Sequence, residues 1–315
     1  MDEWLESLVP WGTSVIVWVQ SFVGQGVDPI FKFFTYLGRE ELYLVLLPLV
    51  YWCISKPIGV GLGYIVMLST WLNCALKNIF DIARPCEAPN PCDTPIRVPL
   101  PEVTYSFPSN HAQGAVANWG YLALHLRRRI GWVVAGILML GIGLSRIVLG
   151  VHFPEDVIGG WLIGILLLVV YAWAEVPVGR WIAGQKTIVQ LVLAVAVPVL
   201  LIFLHPADTQ GQYPAEGAVT PMSVMVGFGI GLIMEHTWVR FKVDGEWWRR
   251  GLRYLLGVIL VVIVYLGPKL LLREEMPYGL EATARFVRYA LLGWVAAFLW
   301  PWLFVRLGLA GQAEA

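Results

Sequence analysis

Nine stretches of mostly apolar residues, roughly 39–55, 57–76, 112–126, 131–147, 157–174, 187–204, 221–238, 252–271 and 286–306, dominate this chain of 315 residues. A helix needs about 20 apolar residues to cross about 30 Å of hydrocarbon, and in that solvent every backbone N–H and C=O must find a partner inside the protein. Most of the nine approach or meet that length, so the sequence predicts an all-α, polytopic membrane helical bundle with about nine transmembrane helices. An apolar content of 58% is too high for an ordinary soluble domain. The stretches 39–55 and 112–126 are short for a full crossing, and Glu40 and Glu41 clip the first.

Ahead of these stretches, residues 10–38 mix Trp11, Trp18, Phe22, Phe31, Phe33 and Phe34 with Asp28 and Lys32, and Pro29 interrupts them. That pattern suits an amphipathic segment at the headgroups and is too broken for a cleavable signal peptide. Formal net charge is zero, but its distribution is uneven. If the nine stretches alternate, one face holds twelve cations, among them Lys56, Arg127, Arg128, Arg129, Arg240, Arg249, Arg250 and Arg253, against five acids. The loops 77–111, 148–156, 205–220 and 272–285 fall on the other face with acids such as Glu87, Asp93, Glu102 and Asp208. Lys and Arg are retained inside, so the first face is expected to be cytoplasmic and the second extracytoplasmic. The Arg127–Arg129 run is this topology signal, and no nucleic-acid partner is expected.

Cys53 and Cys74 lie within apolar stretches and are expected to be small packing residues. Cys86 and Cys92 flank a short proline-rich loop on the outer face, where an oxidising compartment could staple them, with two unbridged thiols as the alternative. Their spacing is too wide for the usual close-set zinc pairs, and no second pair exists.

Three short polar islands interrupt the apolar pattern: Lys77-x6-Arg84-Pro85, Pro108-Ser109-Asn110-His111, and Ser145-Arg146-x5-His152-x3-Asp156. They bring three cations, two imidazoles and one carboxylate to a single outward layer of a chain that is only 14% charged. Phosphoryl chemistry without a metal needs that inventory: fixed positive charge for the phosphoryl oxygens, one histidine to attack and another to protonate the leaving oxygen. Taken singly, each island has a structural explanation. Lys77 and Arg84 are expected at the outer end of the second stretch, about two helical turns apart on one side, where such residues commonly snorkel to headgroups. Ser109 precedes an apolar helix and could cap it, leaving the helix's first N–H groups to favour an anion. If Pro154 begins the next helix, Asp156 falls within reach of His152 and can fix its tautomer. The remaining histidines, His125, His205 and His236, lie outside the islands.

At these residues the sequence resembles the type-2 phosphatidic acid phosphatase superfamily, which shares its site with vanadium haloperoxidases. The family pattern of K-x6-RP, PSGH and SR-x5-H-x3-D is met here by KNIFDIARP, PSNH and SRIVLGVHFPED. The departure is Asn110 in place of the usual glycine; it keeps the backbone N–H and adds an amide donor, at the cost of bulk. The resemblance covers roughly residues 40–174, and the nine-stretch topology is similar to that of the glucose-6-phosphatase and sphingosine-1-phosphate phosphatase branches.

The resemblance implies a division into an N-terminal interfacial segment at 1–38, a catalytic helical core at 39–174 and additional transmembrane helices at 175–315. It implies a phosphatase of the cell membrane acting at the extracytoplasmic face on a phosphate monoester or diphosphate, favoured as that of a lipid over another small phosphate ester. His152 would attack phosphorus to give a phosphohistidine, Asp156 would orient it, and His111 would protonate the leaving oxygen. Lys77, Arg84 and Arg146 would hold the phosphoryl oxygens, with Ser109 and the backbone at Asn110 assisting, and no metal or other cofactor is expected. Two alternatives remain at this level: phosphotransfer to a lipid or sugar acceptor, and a catalytically silent lipid-binding or lipid-moving protein.

Overall fold

The computed structural model describes residues 2–85, 96–100, 102, 104–208, 211–271 and 277–313. Among them the architecture is all-helical; the pairing outside helices is an isolated antiparallel bridge between Phe241 and Gln312. In chain order the helices are α1 (Asp2–Phe22), α2 (Asp28–Leu37), α3 (Glu40–Leu49), α4 (Lys56–Phe80), α5 (Asn110–Gly114), α6 (Gly120–Leu126), α7 (Arg129–Val148), α8 (Pro154–Ala183), α9 (Thr187–Leu204), α10 (Glu216–Met234), α11 (Trp247–Leu271), α12 (Tyr278–Trp294) and α13 (Trp300–Arg306). A π-helical turn continues α3, joins α5 to α6, extends α10 and joins α12 to α13.

Among the described residues, six helical runs are long and apolar enough to cross a membrane: Lys56–Phe80, Arg129–Val148, Pro154–Ala183, Thr187–Leu204, Glu216–Val239 and Tyr278–Arg306. They carry six of the nine predicted stretches. The other three are helical as well, but the count of nine full crossings was approximate. The run over 40–54 has ten α-helical residues and a five-residue π turn, and α5 and α6 have five and seven residues around another. Both runs fall short of about 30 Å at about 1.5 Å per residue. The third stretch, 252–271, lies in α11. Cys86 and Cys92 lie outside the described residues.

The chain divides into two compact units, residues 1–42, 68–173 and 209–211 in the first and residues 43–67, 174–208 and 212–315 in the second. In the first unit, α4 stops at Phe80 because Asp81 takes a left-handed conformation (φ 54°), which Asp tolerates better than most side chains. Its N–H still bonds the Lys77 carbonyl at 3.0 Å, closing the last turn. Proline opens α8 at Pro154, where its missing N–H costs nothing.

Two glycines bring α8 close to the start of α5. A Cβ on Gly160 would stand 2.7 Å from the Ser109 carbonyl oxygen, and one on Gly164 would stand 2.7 Å from that of Gln113. Small residues at this four-residue spacing let helix backbones approach where no larger side chain fits.

The N-terminal helix does more than lie at a surface. Trp11, Trp18 and Phe22 are exposed, but Ile16 is fully buried against Ile96 and Phe153. Gln20 Nε2 donates to the carbonyls of Arg97 and Val148, each at 2.9 Å, while its Oε1 accepts from the Arg97 N–H at 2.9 Å. The α1 helix thus braces the turn that follows α7. Pro29 is the second residue of α2, in the first turn, where proline is tolerated.

The second unit is built on α10 packed against α12. A Cβ on Gly227 would collide with the Ala290 carbonyl, and one on Gly293 with that of Val224. Tyr51, Trp52, Trp300 and Phe304 form its aromatic core. Arg253, fully buried, donates to the carbonyls of Lys242, Val243 and Asp244. Glu235, also fully buried, pairs with Lys56 and accepts from the Phe241 N–H at 2.9 Å. Cys53 is buried, and its thiol donates to the Arg250 carbonyl at 3.3 Å.

Candidate active site

All three polar islands belong to the first unit, and the fold buries them together. Lys77 projects from the last turn of α4, Arg146 from the last turn of α7, and Asp156 from the first turn of α8. His152 lies in the connecting turn, whose N–H groups at Val151 and His152 fold back onto the Arg146 carbonyl at 3.1 and 3.3 Å. Gly150 makes that turn possible with φ +66°; a side chain there would meet the Arg97 carbonyl. Arg84 is not on α4, contrary to the expectation of two helical turns from Lys77. The helix ends four residues earlier, and Arg84 is delivered by the extended segment after Asp81. Lys77, Arg84, Arg146, His152, Asp156 and Ser109 are each less than a tenth exposed. Such a density of buried charge requires partners or a ligand.

The histidine tautomer follows from its neighbours. Arg84 Nη1 lies 3.2 Å from His152 Nε2, and a guanidinium can only donate, so Nε2 must present its lone pair. The proton is therefore on Nδ1, which faces Asp156 Oδ2 at 3.2 Å. That carboxylate oxygen also accepts from Ser106 Oγ at 2.5 Å and from the Phe153 N–H at 2.8 Å, so it is fixed from three sides. Burial, reinforced by the charges of Arg84, Lys77 and Arg146, holds His152 well below the usual imidazole range. It is neutral at neutral pH, with its nucleophilic nitrogen aimed into the cations. Nitrogen-15 NMR of histidine-labelled protein at pH 6.5 should show His152 as the neutral Nδ1–H tautomer; an imidazolium signal would contradict this assignment.

The second island forms the opposite wall. Ser109 is a buried N-cap: its Oγ accepts from the Ala112 N–H at 3.4 Å and its own N–H bonds the Asp156 carbonyl at 3.0 Å. The Asn110 side chain is engaged by Glu40. Among the described residues, His111 Nε2 is buried with no hydrogen-bond partner, as is Arg146 Nε. Two orphaned nitrogens among fixed cations suit an anion that brings its own acceptors. Beneath this wall Asn73 Nδ2 donates to Gln113 Oε1 at 2.9 Å and to the Pro108 carbonyl at 3.2 Å, fixing the helix start.

Several participants carried no sequence signal. Thr35, from α2, bonds Ser145 Oγ at 2.8 Å and accepts from Arg146 Nη1 at 3.2 Å. Thr104 Oγ1 accepts from Arg84 Nη2 at 2.9 Å and from Lys77 Nζ at 3.2 Å, while the Tyr105 carbonyl accepts from Lys77 and the Thr104 carbonyl from Arg84 Nε. Glu102 pairs with Arg84 Nη2 at 2.8 Å through one oxygen and with Arg146 through the other. Burial pulls its carboxyl up, but Arg146 and Arg84 outweigh that and hold it at about 2. Of the other histidines, His125 faces its own helix's Tyr121 carbonyl at 3.0 Å, and His205 and His236 belong to the second unit.

Residues 58–179 match the family model of the PAP2 superfamily, and residues 219–312 match that of the PAP2 superfamily phosphatase, transmembrane extension. The second match gives a family context to C-terminal helices that the motif resemblance left unexplained. A probable sphingosine-1-phosphate phosphatase of Dictyostelium discoideum is 26% identical over 240 residues, covering 70% of this chain and 58% of that protein. Phosphatidylglycerophosphatase B of Bacillus subtilis is 29% identical over 156 residues, covering 42% and 68%, respectively. An undecaprenyl-diphosphatase of Sulfolobus acidocaldarius is 31% identical over 140 residues, covering 44% and 66%. The chain therefore spans well under two thirds of the first relative's length and about two thirds of the other two. With its apolar helices and these two matches, the chain is a multi-pass membrane protein that belongs to the PAP2 superfamily.

Proposed function

We propose that this protein is a phosphatase that removes phosphate from a phosphorylated lipid presented at the extracytoplasmic face, through a phosphohistidine on His152. The observation that carries the reading is the His152 imidazole: proton fixed on Nδ1 by Asp156, lone pair on Nε2, and Lys77, Arg84 and Arg146 within its electrostatic reach. In the first step Nε2 attacks phosphorus, the P–N bond forms, and the P–O bond to the lipid alcohol breaks. Burial and the charge of Arg146 hold His111 well below the usual imidazole range, so it enters the step as an imidazolium only with the proton that the phosphate anion brings and stabilises beside it; that proton passes from the orphaned Nε2 to the departing oxygen. In the second, His111 accepts a proton from water, the hydroxide attacks phosphorus, and the P–N bond breaks to release phosphate and free His152. The three cations neutralise charge that grows on the phosphoryl oxygens in both steps.

A lipid is favoured because the relatives above are named for phosphorylated lipids and because the chain is a membrane protein. The extracytoplasmic face follows from the excess of cations on the opposite set of loops. The proposed division has the core at 39–174, the interfacial segment at 1–38 and the additional helices at 175–315. Sealed right-side-out vesicles carrying the protein should release phosphate from sphingoid, glycerol and polyprenyl phosphates added outside, at a rate that EDTA leaves unchanged. Activity only after the vesicles are opened would overturn the orientation, and loss with EDTA restored by a divalent ion would overturn the metal-free mechanism.

A further inference from the structure

The three cations assigned to the phosphoryl group are already committed to one segment of this chain. Lys77 donates to Thr104 and Tyr105, Arg84 to Thr104 and Glu102, and Arg146 to Glu102. Glu102 spans the two arginines with one carboxylate oxygen on each, the arrangement that two oxygens of a phosphoryl group would adopt between the same guanidinium groups. Its side chain remains about a quarter exposed (26%), whereas the arginine side chains are 3% and 0% exposed, so the carboxylate approaches from the open side of the cradle. A phosphoryl group must enter from that side to reach His152 Nε2, and it cannot share the two guanidinium groups with the carboxylate.

We propose that the Glu102 carboxylate is the resident anion of the phosphate cradle, displaced by the substrate, so that only an anion the three cations hold strongly exchanges with it. This rests on the phosphatase reading above. A carboxylate contributes one charge; a phosphate monoester, or the terminal phosphate of a diphosphate, brings about 1.5 to 2 near neutral pH, whereas a phosphodiester brings about one. Between fixed cations the more highly charged ligand wins the exchange, and a singly charged diester gains little by replacing Glu102. The hold of Arg146 and Arg84 on its carboxyl keeps Glu102 charged throughout the physiological range, so the barrier is permanent and is not relieved by acid.

The test is inhibition of the purified full-length protein in detergent by vanadate, inorganic phosphate and dimethyl phosphate, for wild type and Glu102→Gln. If Glu102 fills the cradle nine tenths of the time or more, removing its charge should tighten vanadate and phosphate at least about tenfold, because apparent affinity scales with the open fraction. Dimethyl phosphate, which faces the same closed fraction, should tighten by the same factor. Unchanged or weaker binding would overturn the proposal and make Glu102 a positioning residue for the arginines. Should Glu102→Gln fail to fold, wild type gives the answer by carbodiimide labelling: saturating vanadate should raise labelling of Glu102 severalfold, and unchanged or reduced labelling would overturn the displacement. A wild-type protein that neither binds vanadate nor releases phosphate would instead refute the phosphatase reading itself.

Discussion

Replacing His152 by alanine should abolish phosphate release from every ester, by roughly 10⁴-fold or more, because the proposed covalent intermediate forms on that side chain. His111→Ala should behave differently. Its loss should cost roughly 10²–10⁴-fold on a lipid alkyl ester, whose alkoxide leaves poorly, and much less on a nitrophenyl ester, whose oxygen needs no proton. The contrast comes from the geometry: His152 Nε2 faces the cations with its lone pair, while His111 Nε2, on the other wall, has no partner among the described residues. The measurement is a comparison of kcat for both variants across esters of graded leaving-group basicity. A flat profile for His111→Ala, or substantial turnover in His152→Ala, would reverse or remove the assigned roles. Asp156→Asn adds a control, since an amide can still accept from Nδ1–H but cannot stabilise the charge that grows on the imidazole as Nε2 attacks.

The six island side chains could be read from the sequence because each stands out chemically against an apolar background, and their spacing places them at helix ends. Arg84 was found as a residue but misplaced as a conformation, since the left-handed turn at Asp81 ends α4 four residues before it. Glu102, Thr104 and Ser106 could not be found that way. They lie in a segment without periodicity, and their importance arises only when that segment folds across Lys77, Arg84 and Asp156. Thr35 was obscured for a different reason: an aromatic-rich segment reads as interfacial, yet one of its polar side chains is fully buried on Arg146. Length explains the helix count. The runs over 40–54 and 110–126 are helical and apolar but shorter than the six long helical runs and interrupted by π turns, so the count of nine is approximate.

Gly160→Leu should reduce kcat about 10²-fold or more and lower the melting temperature, because the site's two walls are held in register where α8 meets the start of α5. Even a methyl group at this position would stand 2.7 Å from the Ser109 carbonyl oxygen and 3.1 Å from the Ala112 side chain, so a leucine must push α8 outward. One turn before Gly160, the Asp156 carbonyl accepts the Ser109 N–H at 3.0 Å, tying the carboxylate that orients His152 to the wall that carries His111. A displacement of about 1 Å between nucleophile and acid is enough to cost the expected factor in rate. Gly136→Leu is the matched control: that glycine lies on α7, and a side chain there would meet nothing within 4 Å. The control should keep both rate and melting temperature near wild type. If the two variants lose activity equally, the loss reflects general damage to membrane helices and the close approach at Gly160 has no special part in catalysis. If Gly160→Leu melts lower but keeps its kcat, the helix contact supports the fold without setting the distance between the two histidines.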